Sequence, residues 1–391
     1  MKRSSLFLLS LFMANTLIAQ KTHYLLVGTY TGTGSKGIYV YTFYPGDASV
    51  QKKDSIAVSN PSFLTVAPGG RYVYAVSEDR DSLNPSTGGG VNAFSFNKRT
   101  GKLTFINKLS SEGSHPCFVS MDKSGKWLIA SNYSSGNFSI FPIGSKGQLL
   151  QPTQTVNHTG NSINTERQNS PHVHAALLSS DNRVLYVNDL GTDRIVCYPF
   201  NNKNGRTDER RAVAVPSDPG SGPRHIAFHP NNKFAYLMQE LTATVAVYRV
   251  KNNQLKEIQN ISAHPLTYKG PAGSADIHVS PDGKFLYASN RALSNTIAIF
   301  KINAATGKLT IVGHQYTMGV KPRNFNFDPS GTYLLVANQE TNNIVIFKRN
   351  EKTGLLTDTG KRINVPGPVC LQWISYKEPD VLDEQKSGPH K

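Results

Sequence analysis

The side chains that can do chemistry stand far apart in this chain. His174, with His172 two residues before it, and Glu240 are candidate proton-transfer groups, because an imidazole and a carboxylate can take up and return a proton near neutral pH. Arg224, Arg291 and Arg323 are candidate anion holders, since a guanidinium grips a carboxylate, a phosphate or a developing oxyanion through parallel N–H groups. Together they could move a proton and hold a negative charge at one site. No GxSxG or HExxH segment occurs, which removes the common serine-hydrolase and zinc-protease routes. His172 and His174 share a strand face but have no third ligand at a sensible spacing, so no metal is assigned. Gly32 to Gly37 spells GxGxxG, yet a strand-like run and no helix follows, and the helix-dipole mechanism for pyrophosphate is missing.

Something in the fold must gather these groups, and an internal repeat supplies it. The pattern is a short strand, a turn carrying Pro-x-Gly or a relative, a second strand ending near Asn or Glu, and a third strand rich in Ile, Val, Phe and Tyr. It reads ADIHVSPDGKFLYASNRALSNTIAIFKI from Ala275 and RNFNFDPSGTYLLVANQETNNIVIFKR from Arg323. Further copies begin at Ser62, Cys117, His174 and Arg224, so the copies recur about every fifty residues. β-Branched and aromatic runs bounded by turn residues are strands. Each copy is expected to be a four-stranded antiparallel sheet that cannot bury both faces alone, and radial stacking solves that problem. VCLQWI (Val369 to Ile374) with YLLVGTY and GIYVYTF (from Tyr24 and Gly37) completes a further unit from the two chain ends. The expected fold is all-β: a seven-bladed β-propeller of four-stranded antiparallel blades, closed by pairing N- and C-terminal strands in the last blade.

Aligning the copies on Pro68, Lys123, Ser180, Pro230, Pro281 and Pro329 fixes a register. Before each turn, at the start of the innermost strand, stand Ser62, Cys117, His174, Arg224, Ala275 and Arg323; after it, at the end of the second strand, stand Glu78, Tyr133, Leu190, Glu240, Arg291 and Gln339. The start of one strand and the end of its antiparallel neighbour share a sheet edge, here one mouth of the central channel. Equivalent positions that diverge into unlike ionisable groups are how a repeat scaffold builds one asymmetric site. The preceding positions (Ser77, Asn132, Asp189, Gln239, Asn290, Asn338) are uniformly polar and suit hydrogen bonds to a hydroxylated ligand. The expected site therefore has His174, Glu240, Arg224 and Arg291 as catalytic residues. His172, His225, Arg323, Asn290, Asn338, Gln339, Glu78, Asn132, Tyr133 and Asp189 are expected to bind substrate.

Composition limits the partners. The 391 residues carry 42 Lys and Arg against 26 Asp and Glu, a net charge of +16, which favours anionic small molecules or surfaces. The charges are scattered and no RNA-binding aromatic signature accompanies them, so no nucleic-acid partner is expected. Charged residues are only 17%, which argues against long exposed helices. Met1-Lys2-Arg3 followed by an apolar run from Leu6 to Ala19 has the form of a secretory signal and is too short to span a bilayer comfortably. We expect residues 1–20 to be a signal peptide, 21–376 the propeller and 377–391 a disordered tail, with the product exported to the periplasm or secreted and no membrane span after cleavage. A monomer is assumed. Cys117, Cys197 and Cys370 are too few and scattered for a disulfide framework, and none is expected to pair.

Taken together, LLVGTYT, KGIYVYTF, SPHVHAALLSSDNRVLYVNDLGTDRI, GPRHIAFHPNNKFAYLMQEL, DIHVSPDGKFLYASNR and KPRNFNFDPSGTYLLVANQ resemble the seven-bladed lactonase family. That family contains the propeller type of 6-phosphogluconolactonase and is related to the fungal 3-carboxy-cis,cis-muconate lactonizing enzyme. The resemblance covers nearly the whole mature chain. It implies a cleft at the channel mouth in which a histidine, a glutamate and arginines act. By motif these are His174 beside His172, Arg224 beside His225, Glu240 and Arg291. Val173 departs from the Pro the family commonly places between the two histidines, and a small backbone effect is expected. The export signal departs from a pentose-phosphate enzyme's cytoplasmic site. The implied activity is hydrolysis of an anionic or hydroxylated sugar-acid lactone without metal or organic cofactor, with Glu240 or His174 as the base. The alternatives are a muconate-type lactonizing cycloisomerase and a non-enzymatic exported propeller binding a sugar or protein partner.

Overall fold

The computed structural model describes residues 22–79 and 89–375. The expected signal peptide and tail lie outside the described residues. Within them the strands form seven sheets arranged as blades. Blade 1 runs from Leu64–Val66 through Tyr72–Ser77 and Gly90–Asn97 to Lys102–Ser110, and blade 2 begins at Pro116–Met121. Blades 3 to 6 begin at Val173–Leu178, Pro223–Phe228, Ser274–Val279 and Pro322–Phe327. Blade 7 takes its innermost strand, Pro368–Ser375, from the C-terminal end and pairs it with His23–Thr29, followed by Gly37–Tyr44 and Ser49–Ala57. Each innermost strand packs on the next, and the sixth packs on Pro368–Ser375, so the ring closes without a free inner edge. Blade 3 departs from the four-stranded expectation: its outer edge is split between Arg206–Thr207 and Val213–Pro216, interrupted by a single 3-10 turn at Glu209–Arg211.

The turn that defines the repeat explains its own composition. Its third residue is Gly70, Gly125, Asn182, Asn232, Gly283 or Gly331, and every one has a positive φ. Asn substitutes for Gly in two copies because its side chain tolerates the left-handed region better than other L-residues. In all six the N–H of that residue donates to the carbonyl three positions back, at 2.8–3.0 Å, closing the hairpin.

Blades are joined by apolar seams and by buried tyrosines. One hydrophobic cluster fills each of the seven blade interfaces. Each fully buried Leu, Ile, Val or Phe there contributes about 1.5–3 kcal/mol. Tyr74, Tyr186, Tyr236 and Tyr287 occupy one register position and donate their hydroxyls to backbone carbonyls of the following blade, at Gly147, Asn253, Gly307 and Gly354. A buried phenol needs such a partner, and here it bolts one blade to the next. The three cysteines are buried and unbridged.

Candidate active site

The innermost strands do not start as regular ladder. In blades 2 to 6 the pairing with the second strand slips at the start, between Pro116 and Phe118, Val173 and Ala175, Pro223 and Ile226, Ser274 and Ile277, and Pro322 and Asn324. Cys117, His174, Arg224, Ala275 and Arg323 sit in these bulges, which re-aim side chains toward the hub. A second regularity completes the rim. The backbone N–H of Glu78, Tyr133, Leu190, Glu240, Arg291 and Gln339 each donates to the carbonyl two residues before the register residue of its own blade, namely Asn60, His115, His172, Gly222, Gly273 and Lys321. The hairpin thus extends one rung past the bulge, and both sets stand at the same mouth.

A cavity of about 520 Å³ opens there, lined by Glu78, Tyr133, His174, Glu240, Arg291 and Arg323 together with Tyr30, Cys117, Arg167 and Lys321. Glu240 is its electrostatic centre. Arg167 Nη2 donates to Oε1 at 2.8 Å, while Arg224 Nε and Arg291 Nη2 reach Oε2 at 2.9 and 3.0 Å. Burial alone would raise the pKa of this carboxyl, but Arg291, Arg224 and Arg167 together hold it far below the usual carboxylate range. Such a carboxylate stays ionised and is a poor proton acceptor. It organises cations.

His174 has the opposite character. Burial, reinforced by Arg224, His225, Arg323 and Arg291, holds its pKa well below that of a free imidazole, so it is neutral at neutral pH. Its Nδ1 faces Cys117 Sγ at 3.8 Å, and that thiol is itself pushed up by burial and stays protonated. The Tyr133 ring stacks on His172 at 4.4 Å and meets the His174 ring edge-on at 5.7 Å. Across the mouth, Tyr30 donates to Glu78 Oε2 at 2.8 Å, and Arg323 stands 3.8 Å from the same oxygen with its guanidinium over the Tyr30 ring.

Other expected residues are placed elsewhere. Arg224 does not line the cavity; it is buried beneath it, with Nη1 committed to the Ala275 carbonyl at 2.6 Å. His172 is also off the lining, its Nδ1 bonded to the Tyr133 carbonyl at 3.0 Å. His225 turns into the hub, with Nδ1 on Asp276 Oδ1 at 2.8 Å. Asn132, Asn290 and Asn338 donate to the backbone carbonyls of Ser111, Ala263 and Thr317. Asp189 accepts from the His172 and Gly191 backbone N–H groups and pairs with His158. Gln339 is likewise outside the lining. Asn132, Asp189, Asn290 and Asn338 brace the loops around the mouth through these bonds, whereas the Gln339 side chain has its Oε1 buried without a partner.

Arg167 and Lys321 were invisible to the repeat register because they lie in connections between its aligned segments; Tyr30, whose N–H donates to the Gly367 carbonyl at 2.9 Å, is the rim residue of the blade built from the chain ends, which the six-copy register did not include. Cys117 stood in the register, yet its residue type gave no reason to assign it a role. The lining as a whole carries Arg167, Arg291, Lys321 and Arg323 against Glu78 and Glu240. A concave site with this excess of fixed cations and one neutral imidazole suits a small anionic or oxyanion-forming substrate.

Known proteins share this sequence and this wheel. Residues 24–373 match the family described as lactonase, seven-bladed β-propeller. A protein of Formosa agariphila named 6-phosphogluconolactonase is 38% identical over 90% of this chain and 99% of its own length. A solved structure of a putative 6-phosphogluconolactonase from Bacteroides fragilis is 39% identical, covers 92% of this chain and 99% of its own, and has a TM-score of 0.85. The periplasmic gluconolactonase of Pseudomonas aeruginosa is 32% identical over 90% of this chain and 99% of its own, also with a TM-score of 0.85.

Proposed function

This chain belongs to the seven-bladed β-propeller lactonase family, and from that premise we propose that it hydrolyses a sugar-acid lactone at the cationic mouth of its hub. The observation that carries the reading is the pairing of a neutral, buried His174 with guanidinium groups that Glu240 and Glu78 hold in place around one cavity.

In this reading His174 takes a proton from water as the water oxygen bonds to the lactone carbonyl carbon. Arg291 and Arg323 hold the tetrahedral oxyanion; burial brings Arg291 down to about 10, still charged at neutral pH. Collapse breaks the bond to the ring oxygen, which takes the proton back from the imidazolium, and the freed acid ionises into solvent. Arg224 acts beneath the cavity as a positioning residue, and Glu240 anchors the cations instead of serving as base. Arg167 and Lys321, each with a partly exposed side chain, stand at the entrance for an anionic substituent of the substrate.

Among the described residues no helix is long and apolar enough to cross a membrane. The basic, apolar start of the sequence supports export, as does the likeness to a periplasmic gluconolactonase. Rates on glucono-, galactono- and 6-phosphogluconolactone, measured above spontaneous hydrolysis, test the proposal. Turnover of at least one supports it, and the background rate on all three would refute it.

A further inference from the structure

The hub has a second chamber. The innermost strands run from the catalytic mouth toward the Pro-x-Gly turns, and at that opposite end a cavity of about 520 Å³ is lined by Phe63, Phe118, Leu177, His225, Asp276 and His278, with Thr65 and Ser120 among the others. Its lining contains one carboxylate and no Lys or Arg, the reverse of the catalytic mouth. Phe63 and Phe118 lie 4.2 Å apart and both rings meet the His225 ring edge-on, at 5.7 and 5.2 Å, forming an aromatic floor.

Asp276 is buried and saturated. Its Oδ1 holds His225 Nδ1 at 2.8 Å, and its Oδ2 holds His278 Nε2 at 3.0 Å and accepts from Asn324 Nδ2 at 2.5 Å. An ionised carboxylate draws the N–H of each imidazole toward itself and leaves the other ring nitrogen as an acceptor. On His225, buried in the floor, that Nε2 has no partner. The His278 ring is 31% exposed, and only its Nε2 is committed. His225 Nε2 is sealed beneath the floor, whereas His278, partly exposed on the chamber lining, keeps a ring nitrogen that a ligand hydroxyl can meet.

We infer that this far chamber is a second, non-catalytic site for a neutral hydroxylated ring of monosaccharide size, its apolar face on the aromatic floor of Phe63 and Phe118 and a hydroxyl donating to His278. The volume falls in the range of small-molecule pockets, about 300–1,000 Å³. A chamber without cations selects neutral rings over the carboxylate that lactone hydrolysis releases. This separates it from the catalytic mouth, whose cations favour that product.

Isothermal titration of the intact protein with glucose, and separately with gluconate, reads the site without any turnover, so a failure of the lactonase reading would not disturb it. Saturable glucose binding is expected to weaken at least tenfold in His278→Ala and in Thr65→Trp, which fills the chamber, while Arg323→Ala leaves it unchanged. Gluconate binding should respond to Arg323→Ala and not to His278→Ala. His278→Ala should keep its lactone hydrolysis. No saturable glucose binding, or glucose binding that survives His278→Ala, or glucose binding lost in Arg323→Ala, would overturn the inference. His278 is partly exposed, so this variant remains readable if Thr65→Trp does not fold.

Discussion

Arg224 Nε, buried beneath the cationic cavity, lies 2.9 Å from Oε2 of Glu240, which lines it. Arg224 Nη1 donates to the Ala275 carbonyl, so this arginine fixes the carboxylate from below while Arg167 and Arg291 hold it from the sides. Arg224→Lys keeps the charge and loses the planar fork. Steady-state kinetics should show kcat reduced by about 10–100-fold with KM changed little, the pattern of a displaced transition-state contact. An unchanged kcat would remove Arg224 from the positioning network.

Glu240→Gln removes the charge that three guanidinium groups share. Leaving Arg224 buried without its counter-ion should destabilise the fold by about 3 kcal/mol, read as a lower urea midpoint at constant m. Activity should also fall, because Arg291 loses its anchor. The acid limb of the pH profile should nevertheless stay where it is, since Glu240 is held ionised far below the working range. A limb displaced by this substitution would make Glu240 the base.

That distinction was beyond the sequence, which left Glu240 and His174 interchangeable. The wheel itself was legible because Gly or Asn at one turn position and strand runs at fixed spacing repeat in six of the seven blades. The ring of unlike residues was legible too: His174, Glu240, Arg291, Arg323, Glu78 and Tyr133 reach one cavity. Reading the preceding Asn and Asp positions as ligand contacts ignored strand parity, by which neighbouring side chains leave a strand on opposite faces. Asn132, Asp189, Asn290 and Asn338 point instead into bonds that hold the loops. Arg224 and His225 show a different limit. Consecutive residues at a bulge diverge, one under the cationic mouth and the other into the floor of the far chamber, and register arithmetic cannot resolve a bulge.

Substrate charge should be read by the rim cations. Lys321→Ala is expected to raise KM at least tenfold for a phosphorylated lactone and less for its neutral counterpart, with the difference shrinking as salt rises. Equal effects on both substrates would remove Lys321 from the anionic end of the site.

Acid should destabilise the protein in two stages. Burial first, then Arg224, lowers His225 to about 4 from its free value of 6.5. Between those values the unfolded chain binds a proton that the native state refuses, so stability present above pH 6.5 is lost as the pH falls toward 4. Glu240 and Asp276, held ionised in the native state, add a further loss below their ordinary carboxylate range. Thermal melts should show Tm falling from pH 6.5 to 4, with a shallower slope in His225→Gln. An identical slope would mean that His225 does not titrate in this window.

The most direct measurement is lactone hydrolysis by His174→Gln, with folding checked by the thermal melt. A neutral imidazole acting as base predicts kcat lower by about 10²–10⁴ at an unchanged KM. Wild-type turnover in a folded His174→Gln protein would contradict it.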